Sequence, residues 1–127
     1  MSFRRSVASG ALVAAVAICA ALPEPRPAFI ARIPFGYHDG RTIESDLGAA
    51  GFTDIAIERV ERASPPGSAI GLARGMCLGS PLANELAAHT PVARERAVAA
   101  AIEAACEAEE AGGGTLAMAA LVVTARG

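Results

Sequence analysis

Tryptophan, lysine and glutamine do not occur in this 127-residue chain, and aromatic residues make up only 4% of it. All 11 basic residues are arginine, scattered against 13 acidic residues for a net charge of −2. A nucleic-acid groove needs a basic stripe or clustered cations interleaved with aromatics for stacking, so nucleic acid is excluded as a partner. The missing Lys and Gln read as a coding bias toward Arg and Ala. Cysteine is also sparse: Cys19, Cys77 and Cys106 stand far apart, without a C-x-x-C or a Cys/His pair at ligand spacing. That excludes a structural zinc site and points to a reduced, cytosolic-type protein. The long apolar run from Ala11 to Leu22 has 12 residues, short of the roughly 20 needed to span a bilayer.

What the chain has in quantity is alanine. Hydrophobic residues are 53% of the sequence, yet 31 are Ala and only 36 are larger. At roughly 25 cal/mol per Å² of apolar area, an alanine core needs many close backbone contacts to offset chain entropy. The expectation is one small domain, or a piece of a larger one, of marginal stability.

The N-terminus has two readings. Arg4 and Arg5 precede the apolar run, and Ala15-Val16-Ala17 has a small-x-small form, which together describe a secretory signal over residues 1–22. The other reading is a core helix over 6–22, with Val7, Leu12, Val16, Cys19 and Leu22 on its apolar face and Pro23, Pro25 and Pro27 ending it.

Phe29 to Tyr37 then reads as an extended segment, part of a Pro-rich link and loop over 23–41. Thr42 is the expected N-cap of a helix carrying Ile43, Leu47 and Ala50 on one face, and Gly51 with Phe52 forms its C-terminal closure. Thr53 to Arg62 alternates as a strand, completing a helix–strand unit over 42–62. Gly67, Gly71, Gly75 and Gly79 recur every fourth residue in an otherwise helical stretch, and this strip is expected to let another backbone pack closely. Ser80 with Pro81 and Thr90 with Pro91 start two helices, within a helical region over 67–111. Gly112-Gly113-Gly114 ends the second, and 115–126 is the final strand. Two strands alone make a marginal sheet, so the layout suggests part of a larger α/β domain.

The segment Arg32-Ile33-Pro34-Phe35-Gly36-Tyr37-His38-Asp39 resembles the C-terminal half of class I S-adenosylmethionine-dependent methyltransferases, in the branch related to quinone biosynthesis. The resemblance continues through Ile43, Leu47, Ala50-Gly51-Phe52, Cys77-Leu78-Gly79-Ser80-Pro81-Leu82 and Val122-Val123-Thr124-Ala125, covering nearly the whole chain. It implies the C-terminal part of a doubly wound, Rossmann-like sheet, helix-rich with two to three strands, and it favours the core-helix reading of residues 6–22. The resemblance also implies S-adenosylmethionine as the parent cofactor and a small-molecule methyl acceptor as substrate. The glycine-rich turn after a strand that such folds use for the cofactor is missing, so this chain alone is expected to bind no cofactor.

On the resemblance, Phe35, Tyr37, His38 and Asp39 form the substrate side, with His38 a candidate base and Tyr37 a candidate orienting or ring-stacking group. Alternatively Tyr37 and His38 fix the loop by hydrogen bonding and Asp39 caps the segment after it. Cys77 is expected to be an inert buried thiol and His89 a helix-end histidine. Glu103, Glu107 and Glu110 are expected on a solvated helix face, with no metal role. The leading expectation is thus the substrate-side portion of a methyltransferase-like protein, cytoplasmic and inactive alone, whose partner is a missing N-terminal half. A small self-associating α/β module, using the glycine strip and an open sheet edge, is the alternative; an exported protein is the third.

Overall fold

Helix ends in this chain are set largely by local capping chemistry. The computed structural model describes residues 10–32 and 37–127. In order, these form α1 (Gly10–Ala21), α2 (Phe29–Arg32), α3 (Gly40–Ala49), β1 (Thr53–Ala63), α4 (Ala69–Gly79), α5 (Leu82–Leu86), α6 (Pro91–Ala111) and β2 (Ala117–Arg126). α6 starts as expected: the Thr90 hydroxyl accepts from the N–H of Ala93 at 3.2 Å, with Pro91 in the first turn. α3 closes in a Schellman motif, in which Phe52 N–H donates to Leu47 O at 3.0 Å and Gly51 N–H to Gly48 O at 3.1 Å. Gly51 supplies the left-handed turn at φ 94°, a conformation that a Cβ would strain.

Three local expectations are corrected. α3 begins at Gly40 rather than Thr42, because Asp39 is the N-cap and its carboxylate accepts from Arg41 N–H at 3.0 Å. Residues 29–32 form a helical turn, not an extended segment. The Glu85 carboxylate, 56 residues further along the chain, accepts from the N–H groups of Ala28 and Phe29 at 2.8 and 2.9 Å and nucleates it. The short helix expected from Ser80-Pro81 to His89 ends earlier, spanning Leu82–Leu86, and passes into turns before Thr90.

The core is helical. α1 lies along α6, α4 packs on α6, and α5 packs on α4. Three columns at four-residue spacing meet there: Ala14 and Ile18 from α1 with Leu22 just past its end, Ala69, Ala73 and Cys77 from α4, and Ala97, Ala101 and Ala105 from α6, all buried. Small columns let helix axes approach toward about 8 Å, the lower end of the usual range, so dispersion between backbones compensates for small side chains. Part of the alanine excess is therefore core material: Ala14, Ala69, Ala73, Ala97, Ala101 and Ala105 are buried, while others, such as Ala49, Ala87 and Ala120, are exposed. Two facing assignments are overturned. Val16 is 64% exposed while Ala14 and Ile18 point inward, so Val16 leaves the expected face of α1, whereas Leu22 of that face is buried and Cys19 half-buried; Val7 and the Leu12 side chain lie outside the described residues. Gly71, Gly75 and Gly79 lie opposite the buried face of α4, and a Cβ added at any of them would meet nothing within 4 Å. Among the described residues the glycine strip packs against no other backbone, because the alanine column takes the inward side.

β1 and β2 form a two-stranded antiparallel sheet, with Ile57 opposite Val123, Arg59 opposite Leu121 and Ala63 opposite Ala117. A bulge near Asp54 (φ 49°) shifts the register at the open end. The protein is mixed α/β, and both outer edges of this ribbon are unpaired among the described residues. No residue of either strand is fully buried. One face is partly covered by α3, which packs on β1 and contributes the buried Ile43.

The ribbon joins the helical body at Ser64 and Leu116. Ser64 N–H donates to Leu116 O at 2.8 Å, and Leu116 N–H donates to the Ser64 hydroxyl at 2.9 Å. Leu116 is buried in the helical core. Glu109 secures the next element, its carboxylate accepting from Ala69 N–H at 3.0 Å at the start of α4.

Candidate functional site

Tyr37, His38 and Asp39 lie together at the start of α3, all exposed; Phe35 lies outside the described residues. The Tyr37 hydroxyl donates to Asp46 Oδ2 at 2.5 Å, which ties the loop to the second turn of α3. That hydrogen bond to a carboxylate raises the Tyr37 pKa above its ordinary value, because it stabilises the protonated phenol. Asp39 is engaged in capping, accepting from Arg41 N–H and from the Thr42 hydroxyl. These contacts make a preformed polar corner on the sheet side of the molecule, where Gly40 also approaches Ile57 of β1.

A cleft lies elsewhere. A space of about 860 Å³ opens between the ribbon and the helical body. Its ribbon wall includes Arg59, Glu61, Ala63, Ala117 and Ala119, and its helical wall Val13, Ala108 and Ala111. Arg59 Nε pairs with Glu61 Oε1 at 3.1 Å. Arg62 and Thr115 also line it, but no histidine, cysteine or tyrosine does, so it offers apolar volume, the Arg59–Glu61 pair, a second arginine and one hydroxyl, without a histidine or cysteine to serve as base or thiol nucleophile.

The other chemistry-bearing residues are accounted for by structure. Cys77 is buried and desolvation raises its pKa, which disfavours the reactive thiolate. Cys19 is half-buried, donates to Pro27 O at 3.2 Å, and is likewise raised mainly by burial. His89 lies in the turns after α5 rather than at a helix end, and its Nε2, 2.8 Å from Pro25 O, pins the Pro-rich link there. Glu103, Glu107 and Glu110 are exposed along α6. Among the described residues no group of His, Cys, Asp and Glu is arranged to hold a metal ion, and no helix is long and apolar enough to cross a membrane.

A sulfonium nucleoside cofactor needs a glycine turn whose backbone donors are free for the ligand. The glycines at 112–114 do not fit that need. The N–H groups of Gly112, Gly113 and Gly114 donate to Ala108 O, Glu110 O and Glu109 O at 3.0, 3.1 and 2.8 Å, so they close α6. The turn also leads from a helix into a strand, opposite to the cofactor-binding order.

Sequence patterning did not point to Glu85 and Glu109 as caps, to Ser64 as the junction, or to Arg59 and Glu61 as cleft residues. Each depends on a partner dozens of residues away, and a single Glu or Ser carries no local mark of that. Comparison with known proteins finds no match for this chain among protein-family models, curated proteins or solved structures.

Proposed function

We propose that this chain is the substrate-side portion of a class I S-adenosylmethionine-dependent methyltransferase-like protein, cytoplasmic, and inactive without a cofactor-binding half. The carrying observation is the ribbon: two strands of 11 and 10 residues with both outer edges unpaired and one face only partly covered by α3. A sheet this bare is marginal in water by itself and is what remains when a larger sheet contributes its other strands from elsewhere. The order helix, strand, helices, strand agrees with the resemblance, and the packing of α1 against α6 favours residues 10–22 as core over a cleaved signal.

In the intact fold, Tyr37, His38 and Asp39 face the methyl acceptor, and the resemblance adds Phe35 to that group. Methyl transfer asks an enzyme chiefly to align nucleophile and methyl group and to exclude water. The Tyr37–Asp46 tie supports that role by holding the loop in one arrangement. His38 is the candidate to take a proton from an oxygen or nitrogen nucleophile.

Isothermal titration with S-adenosylmethionine tests the first half of the reading. No binding is expected from the chain alone, and tight stoichiometric binding would overturn it. The DNA immediately upstream of the Met1 codon tests the second half: an in-frame segment encoding a strand and a glycine-rich turn is the expected result.

A further inference from the structure

β1 carries the sequence Glu58-Arg59-Val60-Glu61-Arg62, which is charge-complementary to itself when reversed. Set antiparallel to a second copy about a two-fold axis at Val60, Glu58 faces Arg62 and Arg59 faces Glu61, on both sides of the axis. Opposite charges directly across an antiparallel pair are stabilising and like charges are not. Moving the axis to Arg59 or to Glu61 sets Arg59 against Arg59 or Glu61 against Glu61, so the charges select a single register.

The backbone agrees with that register. Ser64 N–H donates to Leu116 O in the same continuous pairing that runs back to Ala56. Backbone groups alternate in direction along a strand, so the even-numbered residues of β1 turn theirs toward β2. Ile57, Arg59, Glu61 and Ala63 therefore turn theirs toward the open edge. An axis at Val60 places these odd-numbered residues opposite one another, as a hydrogen-bonded antiparallel ladder requires. Arg62 Nη1 donates to Glu61 O at 2.8 Å, so its guanidinium covers one of these outward carbonyls. In the pair this carbonyl is taken by the backbone of the second copy, and Arg62 turns to the facing Glu58. Arg59 and Glu61, already bridged at 3.1 Å within one strand, would form a ring of four alternating charges with their counterparts.

From this we infer that the outer edge of β1 pairs antiparallel with β1 of a second copy of this chain, centred on Val60, to form a continuous four-stranded sheet. The inference does not rest on the methyltransferase reading, whose additional strands need only the other edge.

The test uses two charge variants of the full chain: R59E with R62E, and E58R with E61R. Sedimentation velocity at high-micromolar concentration and low salt should show wild type as a dimer. Each variant alone, with wild-type circular dichroism, should dimerise at least about tenfold more weakly, since four opposite-charge pairs become four like-charge pairs. An equimolar mixture should recover a heterodimer, because every Glu then faces an Arg. Wild-type dimerisation should also weaken as salt is raised, a readout independent of any variant. A monomeric wild type, a salt-insensitive dimer, or variants that dimerise as well alone as mixed would each overturn the inference.

Discussion

The helical body and the β-ribbon are built on opposite principles within one short chain. In the body, residues of nearly no side-chain volume are sealed completely: Ala14, Ala73, Ala97, Ala101 and Ala105 have no accessible surface at all. In the ribbon, larger residues stay wet, with Met118 and Val122 each 48% exposed. Burial here follows what packs against a segment, not how hydrophobic it is. The body closes on itself because its alanine columns need only other helices of this chain, whereas the ribbon offers edges and a face that nothing else in the described chain fully covers. That asymmetry carries both the methyltransferase proposal and the inferred β1 pairing.

Core truncation gives the largest expected contrast. Ile18→Ala removes a fully buried side chain at the α1–α6 seam and should cost about 2–5 kcal/mol, whereas Val122→Ala on the ribbon should stay within about 0.5 kcal/mol. Urea denaturation of both variants checks this; a ribbon variant as damaging as the core one would break the comparison. Next is the junction. Ser64→Ala leaves Leu116 N–H without its hydroxyl acceptor and should cost about 1–3 kcal/mol. Amide hydrogen exchange should show protection lost in β1 and β2 more than in α6.

The glycine strip has the opposite sign. Gly75→Ala fills open space on the outer face of α4 and should raise stability by about 0.5–1 kcal/mol, seen as an increased denaturation midpoint. A loss of stability there would mean that the strip packs against something after all.

The smallest effect concerns the α3 corner. Tyr37 is the sole tyrosine and tryptophan is missing, so ultraviolet absorbance at alkaline pH reads this one phenol. Its pKa is raised by the hydrogen bond to Asp46, so the midpoint should lie above the ordinary value near 10, and Asp46→Asn should move it back down. The sign is set by the protonated form being the bound one. The contribution to stability is complete below the unfolded-state pKa and fades as pH rises through the raised one.

By itself, the sequence determined the local features. Thr90-Pro91 starts α6, Gly51-Phe52 closes α3 and Gly112-Gly113-Gly114 closes α6, because capping is chemistry between residues a few positions apart. Strand character was equally legible from Ile and Val patterning, expected over 53–62 and 115–126 and found at Thr53–Ala63 and Ala117–Arg126. At the candidate site, the chain position of Tyr37, His38 and Asp39 beside a helix start was legible too. Loop fixing by Tyr37 and capping by Asp39 were one of the two readings the sequence offered there; choosing Asp39 over Thr42 as the cap, and Asp46 as the partner of Tyr37, needed the α3 geometry.

Only the tertiary structure decided which faces turn inward. α1 exposes Val16 while sealing Ala14, and α4 exposes Ile70 and Leu78 while sealing Ala69 and Ala73, so hydrophobic periodicity has little contrast to work with. Packing against α6 breaks that near-tie, sending Ala69, Ala73 and Cys77 inward and Gly71, Gly75 and Gly79 to solvent. It likewise places the Glu85 and Glu109 carboxylates at distant helix starts. Those contacts join segments far apart in the chain, so their energy exists only once the helices have packed.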